Sequence, residues 1–263
     1  MVAVNKARQS FHPVFYLVMV LYLILAYSTL GWGETWAATL YSEDHYFENV
    51  GAISFFAASA ISLFVFMRAL KLREITGIAR AKLFVYAALA MLYFFGAGEE
   101  LSWGQRIFYD QAAPGFAEEN IQRELKIQNL VLFEENPFLN ADFIYTVFWV
   151  GFAVAIPFAS LAWKRFRLFA ETFTPIVHWG IGVLFLLNYL LAQLAKLIFL
   201  SAYNYQTIPF PQAVQEIKES NYELLFVFLS LLVLRELNFL AFPKFGLSGL
   251  NRVRTTDQTI PNW

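Results

Sequence analysis

Residues 174–200 read TPIVHWGIGVLFLLNYLLAQLAKLIFL and contain one formally charged side chain, that of Lys196. A helix of about 20 predominantly apolar residues is long enough to cross the roughly 30 Å hydrocarbon core of a bilayer. This segment is longer than that minimum, so it has room to tilt or to project beyond the lipid. Its length and composition predict a transmembrane helix.

Five further apolar segments have the same character, at about 13–31, 49–69, 81–98, 142–163 and 222–242. The composition agrees, because 59% of the 263 residues are hydrophobic and 15% are charged, against about 25% charged in soluble domains. No internal repeat and no low-complexity segment divides the chain. We therefore predict an all-α fold in which residues 1–263 form one membrane domain, a polytopic bundle of six transmembrane helices.

The basic residues alternate between the predicted loops. Thirteen Lys and Arg lie before the first segment, between the second and third, between the fourth and fifth, and after the sixth, whereas four lie in the other loops. Cytoplasmic loops carry the excess of Lys and Arg in membrane proteins. Both termini are therefore expected in the cytoplasm.

The acidic residues have the opposite distribution, with sixteen in the outer loops and three in the inner ones. Acidic residues contribute little to topology, so this asymmetry needs another explanation. Solubility of the outer loops explains it without any specific function. The alternative is a surface that attracts cations, including a divalent metal ion, or that docks a basic periplasmic partner.

The most distinctive stretch closes the third segment at its outer end and reads GAGEELSWGQRIF, residues 96–108. If the helix continues through it, Glu99, Trp103 and Arg106 share one face, because residues four and seven apart line up. Adjacent carboxylates at a membrane boundary are costly unless they are paired, hydrated or bound to metal. Arg106 would pair with one of them, which leaves Glu99 or Glu100 as an acid/base catalyst. An ordinary ion-paired helix end is the alternative.

The predicted topology brings other polar groups to the same depth. Glu48 opens the second segment on the outer side, and Lys196 lies near the outer end of the fifth. We expect Glu48 to join Glu99 and Glu100 as a third catalytic carboxylate. Polar and aromatic residues around these carboxylates are predicted to bind the substrate: Trp103, Gln105, Arg106, Asn120, Glu124 and Lys196. Of these, Arg106 or Lys196 would hold an anionic head group.

The second outer loop contains a further predicted helix at about 117–133. A polar stripe recurs there at every fourth residue, at Asn120, Glu124 and Gln128, beside an apolar stripe. Such a helix would lie on the bilayer surface and cover the carboxylates. Loops of this length are often functional, although a simple connection is the alternative.

Composition excludes several classes of function. The chain has no Cys, which excludes disulfides, Cys-ligated zinc, iron–sulfur clusters and thiol catalysis. It has three His, no two of them close in sequence, so no metal site is assigned. The net charge of −1 argues against a nucleic-acid partner.

The Glu-Glu stretch, followed by Asn120-x-Gln122-x-Glu124, resembles an uncharacterised family of bacterial multi-pass membrane proteins. The family pattern is Gly-Glu-Glu-Ile-Ser-Trp-Gly-Gln-Arg, then Asn-x-Gln-x-Glu-x-Asn-Leu-His-Asn. The resemblance covers about residues 43–130. It implies that the protein lies in the bacterial inner membrane and that its site is at this stretch, but it implies no particular reaction. This chain carries Gln128 where the family has His, so any role of that His is not transferred.

A second comparison is with the glutamic intramembrane proteases, which carry Glu-Glu-x-x-x-Arg. Here Arg106 falls two positions too late. The Phe-x-x-x-His motif of those proteases is absent. The match is therefore partial.

Three kinds of function remain open. The first is a membrane-embedded enzyme that acts at the outer leaflet on a lipid or a lipid-linked glycan. The second is a non-enzymatic subunit or scaffold that docks another membrane protein or a basic partner through its acidic outer face. The third is a transporter that uses Lys196, Glu236 and the carboxylates. Arg235 and Glu236, adjacent near the end of the sixth segment, are expected to pair with each other.

Overall fold

The computed structural model describes residues 11–41, 45–104, 136, 141–199 and 209–241. Every regular element among these residues is helical. In chain order the α-helices are α1 (Pro13–Ser28), α2 (Glu34–Tyr41), α3 (Tyr46–Thr76), α4 (Arg80–Glu100), α5 (Ala141–Trp149), α6 (Ile156–Ala162), α7 (Lys164–Phe173), α8 (Trp179–Phe199) and α9 (Phe210–Ala241). Short 3-10 turns follow α1 and α4, at Thr29–Gly31 and Ser102–Gly104, and a π-helical turn at Val150–Ala155 joins α5 to α6.

Five of the described helices are long and apolar enough to cross a membrane: α1, α3, α4, the continuous α5–α6 helix and α8. The prediction of an all-α protein with several membrane-spanning helices is confirmed at this level. Helix α9 has 32 residues, six of them charged, and is not among the five. The sixth span therefore stays a prediction.

Two helices extend beyond the predicted apolar segments. Helix α3 continues past residue 69 to Thr76, where Gly77 ends it in the left-handed conformation at φ 66° and donates its N–H to the Arg73 carbonyl at 2.9 Å. Helix α9 begins at Phe210 rather than near residue 222. Hydropathy detects the part of a helix that contacts lipid, whereas backbone hydrogen bonding continues into the polar ends.

Two short helices, α2 and α7, have no counterpart in the prediction. Neither is long enough to span a bilayer, so a search for 20-residue apolar segments does not detect them. The predicted helix at about 117–133 lies outside the described residues.

Helices α3, α4 and α9 form the centre of the bundle, because α3 packs extensively against both of the others. Phe226 of α9 occupies the middle of the core, with ring centroids 5.0 Å from Phe185 of α8 and 5.2 Å from Tyr93 of α4. Large apolar side chains also cover the outside of the bundle. Phe84 is 74% exposed and Leu197 is 80% exposed, as expected of helices surrounded by lipid.

Candidate functional site

Helix α4 ends at Glu100, and the chain then folds back on itself. Ser102 and Trp103 both adopt left-handed backbone conformations, with φ of 45° and 52°. This conformation costs about 1–2 kcal/mol for each residue that is not glycine, so packing must hold it in place. The helix does not continue through the Glu-Glu stretch, and the predicted alignment of Glu99 with Trp103 along one helical face is therefore wrong.

Trp103 nevertheless reaches Glu99, because the turn lays its ring across the last turn of α4. The Trp103 Nε1 atom donates a hydrogen bond to Glu99 Oε1 at 2.5 Å. The ring lies over Gly98, where a Cβ atom would come within 2.8 Å of it, and 5.3 Å from the Phe95 ring. Glu99, which is 4% exposed, is thus held by an indole N–H at the C-terminal end of α4.

The neighbouring carboxyl group, that of Glu100, comes close enough to the carboxyl group of Glu223 of α9 for the two to interact. Glu223 is 3% exposed, whereas Glu100 is half-buried. An ionised carboxylate can only accept hydrogen bonds, so two carboxyl groups can bond to each other only when one of them carries a proton. Glu100 and Glu223 therefore form a carboxyl pair of the kind found in acid/base dyads.

Helix α3 closes one side of this carboxyl pair. A Cβ atom at Gly51 would overlap the carboxyl group of Glu223, so a larger residue at this position would displace that carboxyl group. Glu48 lies one helical turn before Gly51 and is half-buried. Residues three apart lie on the same side of a helix, which places Glu48 on the side of α3 that faces the pair.

Further acidic groups and one phenol surround Glu223. Glu216 and Glu219, on the preceding turns of α9, are close enough to interact with it electrostatically, and so is Tyr145 of α5. The Tyr145 hydroxyl is buried and has no hydrogen-bond partner among the described residues. In the sequence, Glu216, Glu219 and Glu223 were recognised only as members of the acidic outer loops. Their spacing of three and four along α9 could have shown that they share a face.

The other predicted site residues are not brought together in the described part of the chain. Lys196 lies half-buried in the last turn of α8 and makes no hydrogen bond or ion pair with any described residue. Helix α8 packs mainly against α9, α1 and the π-helical turn rather than against α4. The remaining predicted residues lie outside the described residues: Gln105, Arg106, Asn120, Glu124 and Gln128.

A second ionic site lies at the opposite end of α4 and α9. The Lys82 Nζ atom is 2.7 Å from Glu236 Oε1, and both residues are buried. The Arg235 guanidinium lies 5.5 Å from the centre of the Phe11 ring. The expected pairing of Arg235 with Glu236 is therefore wrong, because adjacent residues of a helix point to different sides.

Within the described residues, no three His, Asp or Glu side chains are arranged to hold a metal ion. The divalent cation suggested by the acidic outer loops stays a prediction. Comparison of the chain with protein-family models, curated proteins and solved structures found no match. The fold defines a helical multi-pass membrane protein, and its function has to be inferred from the carboxyl site itself.

Proposed function

We propose that this chain is an inner-membrane protein of six transmembrane helices, with both termini in the cytoplasm. The sixth span would be the apolar part of α9, about residues 222–242. The alternation of basic loops supports this orientation, since thirteen Lys and Arg fall on one side and four on the other. Glu99, Glu100 and Glu223 would then lie at the outer leaflet.

The proposed activity is that of an enzyme that transfers protons to or from a lipid or a lipid-linked glycan at the outer leaflet. The observation that carries this proposal is the close approach of the Glu100 carboxyl group to the buried carboxyl group of Glu223. Two acids that share a proton differ in proton affinity, so one can act as a general acid while the other accepts a proton. Placing two acids together in an apolar bundle is costly, and such costs mark functional sites in membranes.

The surface beside the carboxyl pair suits an amphipathic substrate. Phe94, Phe95 and Trp103 are exposed next to Glu99, at 54%, 40% and 39%. An acyl chain could pack against these rings while the head group meets the carboxyl groups. Residues outside the described part would complete the site, with Arg106 holding an anionic head group and with Gln105, Asn120 and Glu124 contacting the substrate. Lys196 would bind only if it reaches this face.

The test uses a deletion strain of the native host that carries the wild-type gene, Glu223→Gln or Glu100→Gln. Glutamine keeps the volume and the hydrogen bond but cannot exchange the proton. Loss of a general acid or base typically lowers turnover by about 100-fold or more. We expect the envelope lipid and glycan profile of both variants to match that of the deletion strain, at normal protein levels.

Two further variants sharpen this test. Gly51→Ala keeps both carboxyl groups but displaces Glu223, so it should reproduce the same profile. Glu74→Gln changes an exposed acid near the other end of α3 and should leave the profile of the wild type. A wild-type profile from Glu223→Gln, with the protein present in the membrane, would show that the pair has no catalytic role.

A further inference from the structure

Helix α7 joins two helices that are each long and apolar enough to cross a membrane. The α5–α6 helix ends at Ala162, and α8 begins at Trp179. Successive spans leave and re-enter the bilayer at the same surface, so the segment between them lies at that surface. Helix α7 is therefore an interfacial element, and the distribution of Lys and Arg assigns it to the cytoplasmic leaflet.

One side of α7 faces the bundle, where Ala170 is buried. An adjacent side, which faces away from the bundle, exposes large apolar groups, with Phe169 63% and Phe173 44% exposed and their ring centroids 4.9 Å apart. Arg165 lies on the same stripe, because residues 165, 169 and 173 are four residues apart and so line up along one side of the helix. Lys164 is also exposed, one stripe away.

Contacts with the bundle hold α7 in this orientation. The Lys82 Nζ atom of α4 donates to the Glu171 carbonyl oxygen at 3.4 Å. Arg167 pairs with the Glu171 carboxylate at 2.6 Å, so its charge is partly neutralised within the helix. Lys164 and Arg165 make no hydrogen bond or ion pair with any described residue. Their two charges remain available on the outward side.

We infer that the outward side of α7 binds the head groups of anionic phospholipids. Basic side chains beside exposed aromatic rings are typical of helices that lie in the plane of a membrane. Exposed Trp163 and Trp179, at 66% and 42%, flank α7 at the level where indole rings favour the interface. The positive charge complements the negative surface of the cytoplasmic leaflet.

The test titrates the purified full-length protein, in a neutral detergent, with dioleoyl phosphatidylglycerol or with dioleoyl phosphatidylcholine. The shift in the thermal unfolding midpoint gives an apparent affinity for each lipid. We expect phosphatidylglycerol to bind more tightly. A basic residue near an anionic surface contributes on the order of fivefold in affinity, so Lys164→Gln/Arg165→Gln should weaken binding by about 25-fold.

The matched control is Lys71→Gln/Arg80→Gln, which removes two exposed charges near the end of α3 and at the start of α4, on the same membrane side. It should leave the preference for phosphatidylglycerol unchanged. Phe169→Ser/Phe173→Ser keeps the charge and should weaken binding of phosphatidylglycerol. An equal loss in the control pair, or equal affinity of the wild type for both lipids, would overturn the proposal. A different result would assign this surface to a second copy of the chain: the wild type forms dimers and shows no preference between the two lipids, and the α7 variants no longer form dimers.

Discussion

Two pairs of ionisable side chains connect α4 to α9, one near each end. The first pair, Lys82 and Glu236, has opposite charges, and each charge offsets part of the desolvation cost of the other. The second pair, Glu100 and Glu223, consists of two acids, and a proton on one of them removes their mutual repulsion. The first pair is therefore suited to holding the helices together, whereas the second has the composition that the proposed proton transfer needs.

At the scale of the residue, we expect Lys82→Met to destabilise the protein strongly. Removal of one partner leaves the Glu236 carboxyl group buried without a compensating charge, which typically costs about 3–5 kcal/mol. Thermal unfolding of the purified protein in detergent measures the effect. Lys71→Met, an exposed lysine on the same membrane side, should change the midpoint little. If both variants lower the midpoint equally, the buried pair does not stabilise the bundle.

At the scale of the element, the π-helical turn at Val150–Ala155 determines how closely two helices approach. A π turn widens the helix and redirects its carbonyl groups. The Ala153 carbonyl oxygen here lies against Gly182 of α8, where a Cβ atom would collide with it. The packing of α8 on the α5–α6 helix thus depends on a backbone irregularity in one helix and a missing side chain in the other.

We therefore expect Gly182→Ala to force α8 away from the α5–α6 helix. Overpacking of this kind typically costs about 1–3 kcal/mol, and the colliding atom belongs to the backbone, which cannot rotate aside. The thermal unfolding midpoint in detergent should fall accordingly. Gly151→Ala, within the same π turn, meets no atom within 4 Å and should leave the midpoint unchanged or raise it. If Gly151→Ala lowers the thermal unfolding midpoint and Gly182→Ala does not, the proposed packing role is wrong.

At the scale of the whole molecule, the number of crossings determines which surface each loop occupies. Within the part of the chain that the structure describes, five helices qualify as spans by length and composition, and α9 decides between five crossings and six. With six, residue 212 lies outside and residue 255 lies inside. With α9 on one side of the bilayer, both positions would share a compartment. The proposed acid/base site and the proposed lipid-binding surface of α7 would also exchange sides if the orientation were reversed.

The chain has no Cys, so single cysteines can be placed in the natural sequence without other changes. We expect a membrane-impermeant maleimide to label Thr39→Cys and Gln212→Cys in intact spheroplasts. Ser10→Cys and Thr255→Cys should react only after lysis. Labelling of Thr255→Cys in intact spheroplasts, with Ser10→Cys protected, would show that α9 does not cross the membrane.

Sequence patterns predicted most of the long helices but few of their contacts. Hydropathy predicted the bounds of α1 and α4 to within a few residues. It could do so because the preference of a segment for lipid is the sum of contributions from its own residues. It did not detect α2 or α7, whose stability comes from packing and from the interface. The Glu-Glu stretch singled out Glu99 and Glu100 because adjacent acids are rare at a membrane boundary. Glu223 was not singled out, since its partners lie on other helices.

The sequence was enough to predict a helical protein with several membrane-spanning helices and to single out the Glu-Glu stretch, and it further predicts that acidic and basic loops lie on opposite sides. Each of these depends on residue type and on position along the chain. Only the tertiary structure decided that Glu100 meets Glu223, that Trp103 folds back to Glu99 and that Glu236 pairs with Lys82. Contacts between distant residues depend on helix rotation and on the glycines that permit close approach, which no local pattern specifies.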